Sequence, residues 1–133
     1  MRRLAVDVLP GDYTIARLPV GSPPPAALFE LAGGAMVSVT STPDEISVVC
    51  PTDLAPEGDQ SHHGWRLLTV RGPLEFTLTG IMASMASALA AAGVSLFALS
   101  TYDTDHVLVK AADLGRAIEA LTEAGHEVHQ PTG

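Results

Sequence analysis

The chain has 133 residues, enough for one ordinary domain or two very small ones, and a formal net charge of −8. That acidic balance argues against phosphate-backbone binding, and a 5% aromatic content removes the stacking platforms of a single-strand nucleic-acid binder. With 47% hydrophobic and 17% charged residues the chain can fill a core, which argues against overall disorder.

Cys50 is the single cysteine, so it has no companion for an internal disulfide or a thiolate zinc site. The basic start Met1-Arg2-Arg3 leads into an acidic stretch broken by Pro10 and Gly11, not into the apolar run of a signal peptide. The longest apolar segment, Ile81 to Ala92, is too short to span a bilayer. The expectation is a soluble, cytoplasmic α+β protein without membrane or nucleic-acid partners.

Residues 4–8 and 13–18 are strand-like and joined by the turn formers Pro10-Gly11-Asp12. The prolines at 23 to 25 can open a helix over Ala26 to Ala32, because proline is tolerated in a first turn. Gly33 and Gly34 then stop it. Strands follow at 36–40 and 46–50, separated by Ser41-Thr42-Pro43-Asp44. Residues 51–64, rich in Pro, Gly, Asp and His, read as a connection holding at most one short helix, with His62 and His63 solvated.

Trp65 to Val70 is a strand ended by Gly72-Pro73. Ile81, Met85, Leu89 and Ala92 then form one stripe of a helix over 80–92, which Gly93 stops. Strands at 94–99 and 106–109 flank the tight segment Tyr102 to Asp105. The last helix, 113–124, has Asp113 as its expected N-cap and Leu114, Ala117, Ile118 and Leu121 on one face. His126 to His129 can add a short strand. The order β-α-β-β-α-β is the ferredoxin-like arrangement.

Shifting the chain by 60 residues superimposes Phe29 on Leu89, Gly33 on Gly93, Glu45 on Asp105 and Asp53-Leu54 on Asp113-Leu114. Residues 1–60 and 61–133 are therefore expected to be two copies of one module, the first with an abbreviated second helix. Joining their sheets would cover strand edges that small modules leave exposed.

Two stretches carry candidate chemistry. The helix start Thr79-Gly80-Ile81-Met82 presents unpaired backbone N–H groups and a positive dipole end suited to a carboxylate, and Gly80 permits close approach. An ordinary helix capped by Thr79 accounts for the same residues. The segment Ser100-Thr101-Tyr102-Asp103-Thr104-Asp105 offers carboxylates and hydroxyls for an ammonium or guanidinium group, though plain turn chemistry also explains it. The His126/His129 pair would point to opposite faces of a strand, which is poor metal geometry. Nucleophile elbows and phosphate loops are absent from the sequence.

The stretches Gly72 to Ser84 and Ala92 to Val109 resemble an ACT domain. The chain is similar to small stand-alone tandem-ACT proteins of bacteria, relatives of the regulatory ACT pair of aspartokinases and of eukaryotic cytosolic arginine sensors. The resemblance implies two ferredoxin-like βαββαβ modules side by side, an antiparallel sheet with helices on one face. It also implies a free amino acid bound at the interface between modules. Thr79, Gly80, Ile81 and Met82 match the stretch that meets the ligand carboxylate. Ser100, Thr101, Asp103 and Asp105 match the strand and turn that meet its amino group or side chain, with Asp105 facing a basic group. A basic ligand is favoured for that reason. The implied role is a non-catalytic amino-acid sensor, a homodimer needing no cofactor and no metal. The alternative is a structural or protein-interaction module without a ligand.

Overall fold

The computed structural model describes residues 3–23, 26–56, 60–72 and 80–131. Pro24, Pro25 and the stretch 73–79, which contains Thr79, lie outside the described residues. The described residues form eight strands and three α-helices, an α+β protein. Among them, no helix is long and apolar enough to cross a membrane.

Contacts divide the chain into two compact units, residues 11–65 and residues 66–133 together with residues 1–10. This differs from the division at residue 60 drawn from the repeat. The reason is the first strand, β1 (Ala5–Val8), which pairs on both edges with strands of the larger unit while Val6 and Val8 are buried in its core. It runs antiparallel to the second half of β5 (Ser61–Val70), pairing Val6 with Val70 and Val8 with Leu68. On its other edge it runs parallel to β8 (Glu127–His129), pairing Ala5 with Glu127 and Asp7 with His129. The carboxy-terminal unit thus takes a central strand from the other end of the chain.

That unit is completed by β6 (Leu96–Ser100) and β7 (Asp105–Lys110), giving the strand order β6-β7-β5-β1-β8. Alternate side chains Val6, Val8, Leu68, Val70, Val107 and Val109 pack with Ile81, Met85 and Leu89 of α2 (Ile81–Ala91) and Ala117 and Leu121 of α3 (Leu114–Glu123). Period-two burial on strands and the i, i+4, i+8 stripe on α2 are what a one-faced sheet covered by helices requires. Asp113 occupies the N-cap position of α3 without a capping bond, because its carboxylate takes Arg116 at 2.5 Å instead.

In the unit of residues 11–65, β2 (Tyr13–Leu18) lies between β4 (Ile46–Pro51) and the first half of β5, antiparallel to both. The outer strand β3 (Ser38–Ser41) pairs with β4. Leu28 of the short helix α1 (Ala27–Leu31) packs with Ile46, Val48 and Cys50. A 3-10 turn at Thr52–Leu54 stands where the repeat expects a second helix. The connection expected over 51–64 ends early, since β5 begins at Ser61. His62 and His63 lie in that strand, and His63 Nδ1 meets the fully buried Thr14 hydroxyl at 2.7 Å.

Candidate functional site

α2 starts on a backbone that glycine alone adopts without strain. Gly80, with φ of 81°, is the N-cap, and its carbonyl accepts the first helical bond from the Ser84 N–H at 2.8 Å. A Cβ placed there would meet no atom of the described residues within 4 Å, so its positive φ is what calls for glycine. Ile81 is only 5% exposed and its side chain belongs to the core, leaving its backbone N–H as the group it can offer. Met82 is half-buried against the same core. α2 carries no ionisable side chain, so only the helix dipole sets the charge of its first turn.

The second stretch forms a turn closed by its own hydroxyls. The Thr101 N–H and Oγ1 both donate to the Thr104 carbonyl, at 2.9 and 3.1 Å. Ser100 Oγ donates to Asp105 Oδ1 at 2.6 Å across the β6–β7 ladder, where the two residues are directly paired. Asp105 is half-buried, whereas Ser100, Thr101 and Asp103 are exposed. Thr104, which the sequence did not single out, sends its hydroxyl to the Val70 carbonyl at 2.7 Å. This fastens the turn to the last residue of β5, the strand whose chain continues toward Gly80. Val70 and Ile81 belong to one core cluster, so both stretches border the same packed interior.

Ser100, Thr101 and Asp105 are therefore held in one hydrogen-bonded turn, while Gly80, Ile81 and Met82 form the start of α2. Thr79 lies outside the described residues. Next to Asp105, His106 shares its Nδ1 with the Thr69 hydroxyl at 2.9 Å. Burial pushes this imidazole below its ordinary pKa, against the opposing pull of the Asp105 charge. Farther along, Arg71 grips both oxygens of Asp7, at 3.1 and 2.5 Å, and that pairing holds the Asp7 carboxyl below the usual range. Cys50 is buried, and burial raises its thiol, which suits packing and not nucleophilic work. Among the described residues, no three His, Cys, Asp or Glu side chains gather closely enough to hold a metal ion.

The sequence profile of the ACT domain family matches residues 60–123. Over its whole length the chain is 37% identical to protein Atu0741 from Agobacterium tumefaciens; the alignment covers 100% of this chain and 97% of that one, with a TM-score of 0.89. The chain belongs to the ACT domain family. This ACT chain is also 43% identical over 58 residues to the human protein named cytosolic arginine sensor for mTORC1 subunit 1. That match takes in 43% of this chain but spans only 18% of the sensor. The regulatory subunit of aspartate kinase from Thermus thermophilus shares the ACT fold, with a TM-score of 0.62 at 16% identity, covering 90% of this chain and 95% of that one.

Proposed function

We propose that the chain is a non-catalytic regulatory module that binds a free amino acid, with basic side chains preferred. The ligand carboxylate meets the backbone N–H groups of Ile81 and Met82 at the positive end of α2, with Gly80 beside it. Its cationic group meets Asp105, oriented by Ser100, with Asp103 and Thr101 at the rim of the turn. The observation that carries this reading is the Thr104–Val70 bond, because it holds a half-buried carboxylate at the end of the strand leading toward α2. Similarity to arginine sensors supports the basic preference.

A thermal-shift screen against the proteinogenic amino acids tests it. A ligand present at about 100 times its Kd adds about 2.7 kcal/mol of stability. Arginine or lysine is expected to raise Tm most, and silence from every amino acid overturns the reading.

The working species is a homodimer. In the unit of residues 11–65, Val20, Phe29 and Leu31 are 56%, 59% and 66% exposed, apolar side chains that a second copy would cover. The same three side chains favour the second reading, a protein-interaction module that works without a small ligand. Light scattering at micromolar concentration tests the dimer, and a 13.8 kDa species would refute it.

A further inference from the structure

His126 is 3% exposed and lies between the end of α3 and the start of β8. Its Nδ1 accepts the Leu4 N–H at 3.1 Å, so that nitrogen carries a lone pair and no proton. The neutral ring then bears its hydrogen on Nε2, which faces Ser84 Oγ at 3.2 Å. Ser84 is the residue whose own N–H closes the first turn of α2 on Gly80. One imidazole thus joins the start of β1 to the first turn of α2. The backbone N–H of His126, donated to the Leu121 carbonyl at 3.1 Å, ties the residue to α3 as well.

We propose that His126 is a proton-sensitive clasp, a positioning residue that holds β1 and the first turn of α2 together only while its ring is neutral. A proton on Nδ1 turns that atom into a donor facing the Leu4 N–H, and two donors cannot share a bond. The buried Leu4 N–H then loses its partner, which is costly inside a core. Among the described residues, no carboxylate bonds the ring to reward the new charge. α2 offers no ionisable group, and Arg3 of the amino-terminal segment is engaged with Glu127 of β8 at 3.5 Å. The α3 charges Arg116, Glu119 and Glu123 are exposed to solvent. Burial alone accordingly keeps the ring below its ordinary pKa of 6.5. The clasp is independent of which ligand the protein takes, or whether it takes one.

The test compares wild type with His126→Asn, whose Oδ1 can stand where Nδ1 stands and accept the Leu4 N–H without titrating. Amide hydrogen-exchange protection at Leu4 and Ser84 is followed from about pH 7.5 down to about pH 5. Wild type is expected to lose protection about tenfold more than the variant at both amides. Equal pH dependence in the two proteins overturns the proposal. Should the variant fail to fold, nitrogen-15 spectra of the wild-type imidazole decide the matter. An Nε2–H tautomer with a midpoint below the ordinary 6.5 supports the clasp, and an Nδ1–H tautomer or a midpoint at or above 6.5 refutes it.

Discussion

The hydroxyl of Thr104 and the carbonyl of Val70 meet at 2.7 Å, and this contact joins the turn between β6 and β7 to the end of β5. Within the turn, Thr101 bonds Thr104 and Ser100 bonds Asp105. Thr104→Val keeps the shape and removes the tie, leaving the Val70 carbonyl without this donor. The expected cost is about 1 kcal/mol in urea denaturation. A weaker amino-acid affinity in calorimetry should accompany it, because Asp105 loses its fixed position. Unchanged affinity would detach the tie from ligand binding.

Asp105→Asn separates charge from shape. The Ser100 hydroxyl can still donate to an amide oxygen, so stability should change little. Affinity for arginine or lysine should fall by about 1.5–3 kcal/mol, the worth of a charge-assisted bond, while a neutral amino acid loses much less. Isothermal calorimetry with one basic and one neutral ligand reads the difference.

Gly80 has no described atom where a Cβ would stand, but its backbone is left-handed. Gly80→Ala should therefore destabilise by about 1–2 kcal/mol through conformation alone, with no clash. A β-branched side chain such as Val is worse suited to that backbone, so Gly80→Val confounds strain with steric blocking. Urea melts of the Ala and Asn variants check the point, since Asn tolerates the conformation better.

The Asp7–Arg71 pair predicts an acid limb. Asp7 titrates below its ordinary 3.8 in the folded protein, chiefly through the Arg71 bond. The unfolded chain therefore takes up the proton first as pH falls, and the stabilisation present above that value is lost through the folded one. Arg71→Gln should shrink the stability difference between neutral and acid solution. The two side chains are 53% and 33% exposed, so solvent screening keeps the change small. Denaturation curves at several pH values measure it.

Much of the fold is legible because it is local. The stripe of Ile81, Met85 and Leu89 gives α2 nearly to its ends, and Leu114 to Leu121 does the same for α3. What escaped was long-range. Nothing in Ala5-Val6-Asp7-Val8 says that it pairs with both β5 and β8 of the distant unit, since any sheet would accept that alternation. Asp113 looks like a cap because of its type, yet Arg116 competes for the same oxygens one turn on. At the site, Ser100 and Asp105 were visible as turn chemistry, but Thr104 looked like any other hydroxyl in that run. His126 was invisible in its role, for its two side-chain partners lie 122 and 42 positions away.

The strand borrowed from the far end has a consequence for how the molecule comes into being. β1 is made first during synthesis, yet its partners, β5 and then β8, emerge only after the unit of residues 11–65 has been laid down between them. Until Glu127 is free to meet Leu4, β1 has no partner on its outer edge and the larger sheet lacks its last strand. Contacts so distant along the chain slow folding, because loop closure must precede any reward from burial. A nascent chain of this design completes its smaller unit early and its larger one last. Removal of β1 would strike hardest at β8, more than a hundred positions further on.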